Sequence, residues 1–446
     1  MKSITDIFRK LPSSLVLSPF QSYFLDPQKR IIFLRNRAGF LLYLLNSTHK
    51  LIYTNRNMST HLSPPLGKPL LDSHYTVLRK LGKGETATTW LVRDAGRPRD
   101  TSEYAAVKIL TAEATLDVEC GHVHELEFLK DIAQRAQTSD DEGLDYLAIL
   151  LDDFTVTGPS GNRHLCMVQH LYSTSVSALR RSAPTKSLPV YTVRNVIFMA
   201  LHGLAYLHSL NIIHTDLKLD NILFANTLYS DNRELERYLS ANPVELEEDG
   251  SPKSQPIPHK WTYDTSAFEA ELMSVVLIDL GHAQRAGVQP TADLFSAPAL
   301  RAPEVILWSD FGSAVDIWAI GCLTFELLVG RWLFNPEAGE PDWSLEDDHL
   351  AKMMELTGQH FPPAMLARAK NQDKYFDKDG NLLRIPELIP VTLEQAMTNY
   401  KIPGLTEQDI KLAADFIRAC LKFDYKERAT ATELTAHPFL EDALRC

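Results

Sequence analysis

IIHTDLKLDNILF, residues 212–224, sets an acid, a base and an amide (Asp216, Lys218 and Asn221) two and three residues apart on one turn, flanked by apolar runs. A solvated loop has no need of that set, and threonine, Thr215, stands directly before the acid. What the turn is for is decided by the chain around it. Upstream, YTVRNVIFMALHGLAYLHSL has the apolar spacing of an amphipathic helix and feeds straight into the turn. Downstream, SVVLIDLGHAQ reads as a buried strand that ends in Asp279, two residues before Gly281. A carboxylate at such a strand end suits a metal ligand and equally a loop acid.

Toward the N-terminus, YTVLRKLGKGETATTWLVRDA predicts strand, glycine-rich turn, strand. Gly82 and Gly84 would let the hairpin backbone lie close over phosphates with its N–H groups as donors. EYAAVKIL alternates like a strand and sets Lys108 among Ala, Val and Ile, where an ammonium is costly unless paired. HVHELEFLKDIAQ has helical period, with Leu126, Leu129 and Ile132 on one face. Glu125 beside them is the expected partner of Lys108, with Glu127 and Glu119 as rivals. HLCMVQHLYS reads as a buried strand ending in a polar linker.

With 446 residues the chain can build two or three lobes with real cores. Its five cysteines form no Cys-x-x-Cys pair, which excludes a disulfide framework or zinc site on pattern. Cys120, Cys166, Cys322 and Cys420 are expected to be buried thiols. A net charge of −12 argues against nucleic acid and for basic partners. The sign is uneven: residues 1–60 hold nine Lys or Arg against Asp6 and Asp26. IIFLRNRAGFLLYLL in that head is broken by Arg35 and Arg37 and is too short to span a membrane. The head is expected to be a loosely ordered extension or, alternatively, a targeting or membrane-surface segment. STHLSPPLGKPLLDSHY is read as a Pro-rich linker, so residues 1–74 form an extension and the organised domain begins near Tyr75.

The ordered series of glycine loop, strand lysine, helix glutamate, H-x-D-x-K-x-x-N, D-x-G and A-P-E (Ala302, Pro303, Glu304) resembles the eukaryotic protein kinase superfamily over residues 75–440. DIWAIGCLTFELLVG and KERATATELTAHPFL complete the resemblance, with Arg428 placed to pair with Glu304. The resemblance implies an α+β, bilobal fold: an antiparallel N-lobe with one main helix (75–168) and a mostly helical C-lobe (174–440). It implies ATP and Mg²⁺ as cofactors, with Leu81, Gly82, Lys83, Gly84, Glu85, Thr86, Ala87, Thr88 and Thr89 as the nucleotide loop. Ala106, Gln169, His170 and Tyr172 would border the adenine, and Lys108, held by Glu125, would grip the phosphates. Asp216 would accept or orient the substrate hydroxyl proton, Lys218 would neutralise charge on the γ-phosphoryl, and Asn221 and Asp279 would hold the metal. Lys218 two residues after Asp216 is the pattern of serine/threonine kinases.

Thr215 stands where most kinases have an arginine that binds a phosphorylated activation loop, and threonine cannot make that ion pair. His-Thr-Asp resembles the SR-protein kinases and the related LAMMER kinases. DLG, and LFNPEAGEPDWSLEDDHLAKMMELTG with its acids, favour the first; ALRAPE and HLAKMM lean toward the second. The excess chain at about 226–272, with VELEEDGSPKSQPIP, resembles a short spacer of the SR-protein kinases. Leu219 for the usual proline, Ala87 for the third loop glycine and Thr89 depart from the kinase pattern. The implied activity is serine phosphorylation of Arg/Ser-rich proteins by a monomer in cytoplasm and nucleus, with mitochondrial targeting by the head as the alternative location. A catalytically weak pseudokinase scaffold is the rival class. Glu337, Glu340, Asp342, Glu346, Asp347 and Asp348 form either an Arg-docking segment or a solvated acidic loop.

Overall fold

The computed structural model describes residues 61–70, 74–96, 103–225, 231–287, 295–339 and 341–443, together with short strands between 34 and 55. Those strands, β1 (Leu34–Arg35), β2 (Phe40–Leu44) and β3 (Leu51–Asn55), make a three-stranded antiparallel sheet of their own. The rest of the basic head lies outside the described residues.

The larger unit begins at Leu62, earlier than the expected Tyr75. Residues of the Pro-rich stretch run along the first sheet strand: Gly67 N–H donates to Val77 O at 2.7 Å, and Val77 N–H to Lys68 O at 3.0 Å. Leu70 is buried against Tyr75 and Val77. Prolines exclude a regular strand here, but not an extended segment that pairs through its other residues.

Five antiparallel strands follow: β4 (Tyr75–Lys83), β5 (Ala87–Asp94), β6 (Tyr104–Leu110), β7 (Leu150–Thr157) and β8 (Arg163–His170), in spatial order β4-β5-β6-β8-β7. The period-2 pattern sorts their side chains to two faces. Val77, Trp90, Val92, Val107, Ile109, Cys166 and Val168 make one apolar cluster. Ala87, Leu110, Leu165 and Met167 join the opposite one, against helix α2 (Glu125–Arg135). That helix buries Phe128, Leu129 and Ile132, while Leu126 is only half-buried, so its apolar face is centred on Phe128. Helix α1 (Ala112–Glu119) precedes it, and Cys120 at its end is exposed rather than buried.

The C-lobe is helical. Its core is built on α4 (Val190–Ser209), preceded by α3 (Val176–Ser182), and on α6 (Ala314–Val329), α7 (Leu345–Thr357) and α8 (Glu407–Cys420). Glycine is needed at 321, where a Cβ would stand 2.7 Å from that of Cys420 and force α6 and α8 apart. Two small ladders set the loops between the lobes: β9 (Tyr172–Ser175), β11 (Ile222–Ala225) and β12 (Val275–Leu277) in order β12-β11-β9, and β10 (Ile212–Ile213) with β13 (Gln284–Arg285).

The expected spacer is folded where it is described. Helix α5 (Asn232–Ala241) buries Leu235 against Leu91, Tyr104, Leu171 and Ile257, on the sheet and at the linker between the lobes. Gln255 N–H donates to Lys80 O at 2.8 Å and Thr174 N–H to Ile257 O at 2.9 Å. The acidic composition of the segment hides these few apolar anchors, which are what fold it.

Arg428 and Glu304 are both fully buried, their two-pronged pair closing at 2.7 and 3.1 Å. Arg428 also donates to Lys422 O and Ala314 O and lies over the Trp318 ring. Removing one partner strands a charge in the core, which costs about 3–5 kcal/mol, whereas replacing both by apolar groups is close to neutral. Arg428→Ala is therefore expected to lower the denaturant midpoint sharply. Arg428→Met with Glu304→Leu should recover most of the loss in the same unfolding measurement.

Candidate active site

The turn that opened the sequence sits between β10 and β11, held from below by one carboxylate. Asp316, at the start of α6 and 1 % exposed, accepts from His214 N–H and Thr215 N–H at 2.8 Å each and bonds the His208 ring at 2.9 Å. Thr215 takes a left-handed conformation, φ +63°, which a non-glycine residue adopts only under such restraint. Its hydroxyl donates to His282 O at 2.6 Å, and its own carbonyl accepts from the Ser296 hydroxyl. Arg301 donates to Phe295 O and Ser296 O. His282 and Ser296 are thus tied to the Asp216 turn by neutral hydrogen bonds through Thr215. In the sequence Asp316 is marked only as a lone carboxylate opening the apolar DIWAIG helix, and its partners lie about 100 residues away.

On the turn, Lys218 Nζ donates to Asp216 Oδ2 at 2.6 Å. Asn221 Nδ2 donates to Asp216 O at 2.9 Å and to its Oδ2 at 3.3 Å, which leaves the amide oxygen of Asn221 as an acceptor. β11 pairs with β12, Ile222 facing Leu277, and Ile278 N–H donates to Asn221 O, so Asn221 and Asp279 end up beside one another. Asp216, Lys218, Asp279 and Phe295 line one cavity of about 710 Å³, together with Glu127 and Arg285.

Asp279 has φ +66°. Lys108 reaches it across the cleft: Nζ stands 2.7 Å from Asp279 Oδ1 and 2.6 Å from Glu125 Oε1. Burial alone would drive the proton off Lys108, but Glu125 and Asp279 outweigh it and hold the ammonium above the ordinary lysine value. The same charge holds the Asp279 carboxyl well below the usual carboxylate range against its burial. Burial pushes Glu125 up, opposed by Lys108. Of the rival acids, Glu127 bonds His124 and Arg285, and Glu119 bonds Arg163. Gly281 sits within this group: a Cβ there would lie 3.2 Å from Asp279 Oδ1 and 3.5 Å from Glu125 Oε2.

The glycine hairpin covers residues 81–89. Gly82 pairs with Thr89 and Lys83 with Thr88, and Gly84 N–H donates to Ala87 O at 2.9 Å. Neither glycine has positive φ, and a Cβ on either would meet nothing nearer than 3.9 Å, so the fold itself does not require glycine there. Ala87 is packed into the core. Thr88, expected with the nucleotide loop, is buried, its hydroxyl accepting from Trp90 Nε1 at 3.0 Å, so its side chain serves the sheet. Ala106 and Gln169 are opposite one another in the β6–β8 ladder, next to the pair Ala105–His170, and Tyr172 opens β9.

The acidic segment divides. Glu337 and Asp342 are exposed and Glu346 is half-buried, whereas Glu340 lies outside the described residues. Asp347 is buried: it caps α7 through Ser344 and meets Arg384 at 2.7 Å. Asp348 pairs with Lys352 at 2.7 Å and accepts from Glu337 N–H. Asp347 therefore leaves the expected docking set, because a helix N-terminus with its orphan N–H groups has already taken that carboxylate.

Residues 75–440 match the family model of the protein kinase domain. A serine/threonine-protein kinase SRPK of Physarum polycephalum is 31 % identical over 389 residues, which cover 83 % of this chain and 86 % of that protein. The human SRSF protein kinase 3 is 24 % identical over 512 residues, covering 83 % and 87 %. Protein kinase dsk1 of Schizosaccharomyces pombe is 26 % identical, covering 84 % and 82 %. With the ordered Lys108–Glu125–Asp279 cluster and the Asp216 turn facing one cleft, the chain belongs to the protein kinase family, as a serine/threonine kinase of the SR-protein kinase type.

Proposed function

We propose that the protein transfers the γ-phosphoryl group of ATP, with Mg²⁺, to serines in Arg/Ser-rich protein segments, and that it does so without prior phosphorylation of its own activation segment. The observation that carries the phosphoryl-transfer reading is the placement of Lys108 on both Glu125 and Asp279. The donor set fits the nucleotide and metal. Lys108 is kept charged for phosphate oxygens, Asp279 keeps Oδ2 and Asn221 its amide oxygen for a hard cation, and both loop glycines leave space that the fold does not fill. Bound Mg·ATP supplies the electrophilic phosphoryl group, and the chemistry asked of the protein is positioning and charge stabilisation. Asp216, oriented by Lys218 and Asn221, orients the substrate hydroxyl and takes its proton; Lys218 offers its charge to the transferring group.

The neutral ties at Thr215 support a pre-set activation segment. Exposed Glu337 and Asp342 on an acidic body support basic substrates, since a guanidinium fork meets carboxylates bidentately and salt screens such contacts.

Asp216→Asn is expected to fold and bind ATP yet lose about 10²–10⁴ in kcat, the usual contribution of a positioned base and its electrostatics; turnover near wild type in a peptide assay would remove Asp216 from the mechanism. Protein made in bacteria and treated with phosphatase should keep its activity, and loss on that treatment would refute the pre-set segment. Glu337→Lys with Asp342→Lys should raise KM for an Arg-Ser repeat peptide and leave KM for ATP unchanged, with the difference shrinking as ionic strength rises. Equal peptide KM values would reduce the segment to a solvated loop.

A further inference from the structure

The position of α2 decides whether Glu125 reaches Lys108, and in this family of reactions both that pair and the metal-binding acid must be in place together. Glu125 bonds Lys108 and lies against Gly281, so its own contact with the C-lobe is confined to the few residues after Asp279. On the other side, one residue of β13 grips the same helix. Arg285 Nη2 donates to Glu127 Oε1 at 2.9 Å and to Asp131 Oδ2 at 3.0 Å, and its guanidinium lies 4.9 Å from the centre of the Phe128 ring. Nη1 donates to Leu210 O at 3.2 Å, at the C-terminal end of α4.

The backbone of Arg285 is fixed as well. It pairs with Ile212 in the β10–β13 ladder, and Ala286 N–H donates to Asn211 O at 2.9 Å. Ile212 and Ile213 lead directly into His214, Thr215 and Asp216. One side chain six residues beyond Asp279 therefore ties α2 to the catalytic turn and to the end of the C-lobe's central helix. The carboxylates of Glu127 and Asp131 hold the guanidinium above its ordinary pKa, and Arg285 draws Glu127 below its own, so the fork is charged throughout the physiological range.

We propose that Arg285 is the positioning residue that locks α2, and through it the Lys108–Glu125 pair, to the catalytic turn, supplying from the chain itself the bracket that a phosphorylated loop supplies by charge. The proposal rests on the kinase reading above and deepens its regulation. It gives the segment after Asp279 a fixed cationic contact to α2, complementing the neutral ties at Thr215. Because Glu127 and Arg285 also line the 710 Å³ cavity, a role in binding the protein substrate is the competing explanation, and kinetics separate the two.

The test uses the full chain, unphosphorylated, with an Arg-Ser repeat peptide and ATP. Arg285→Ala is expected to lower kcat on the order of 10-fold, the scale of couplings between two sites, with the peptide KM within about 2-fold of wild type. Amide exchange over residues 125–135 should accelerate in the same variant. Glu127→Gln with Asp131→Asn should show the same loss, and adding Arg285→Ala to it should cost nothing further, because both break one bracket. Arg285→Lys, which can meet one carboxylate but not both in a fork, should restore part of kcat. Should Arg285→Ala not fold, Arg285→Lys and the Glu127/Asp131 double variant carry the same comparison. Unchanged kcat, a rise in peptide KM alone, or losses that multiply when combined would each overturn the lock. An inactive wild type would instead overturn the kinase reading, and the exchange rates of α2 would still report on the lock.

Discussion

The ammonium of Lys108 is the contact on which the two lobes of this kinase agree. It comes from β6, is gripped by Glu125 from α2, and closes on Asp279 two residues beyond the C-lobe strand β12. Glu125 is buried, Lys108 nearly so and Asp279 half-buried, so the two inner charges depend on one another and on Asp279 to offset their desolvation. The sheet, the packing of α2 through Phe128, Leu129 and Ile132, and the ladder that presents Asp279 all serve that meeting.

Asp316 plays the corresponding part beneath the catalytic turn. A buried carboxylate with two backbone N–H donors and a histidine ring holds Thr215 in a left-handed conformation and aims Asp216 into the cleft. Arg428 and Glu304 form a second buried ionic point further down, and the loops above are tied both to helix α6 through Asp316 and to one another through Thr215. His282 and Ser296 meet Thr215 through hydroxyl and carbonyl contacts, and Arg285 adds its fork to Glu127 and Asp131.

The folded insert adds a strap along the N-lobe. Leu235, Ile257 and the short backbone contacts to Lys80 and Thr174 let an acidic, Pro-containing stretch run from the C-lobe over the sheet and past the linker between the lobes. A few apolar side chains decide its path, and its acidic composition, which resembles a short spacer, does not reveal them.

By itself the sequence determined the kinase identity and the antiparallel N-lobe and helical C-lobe, because the strand lysine, H-x-D-x-K-x-x-N, D-x-G and A-P-E are local patterns; it also named Lys108, Glu125 and Asp279, which the fold brings into contact. It singled out Glu125 over Glu127 and Glu119 only as an expectation, since helical period allows several neighbours to face a strand. Tertiary structure alone decided which acids are free and which are spent. Asp347 went to a helix cap and Arg384, Glu127 to Arg285, and Thr88 to the core, because burial and capping claim polar groups by distance in space, and no spacing along the chain records that distance. The same holds for Asp316 and Arg285: their partners are about 100 and more than 150 residues away in sequence, and only the closed fold brings them together.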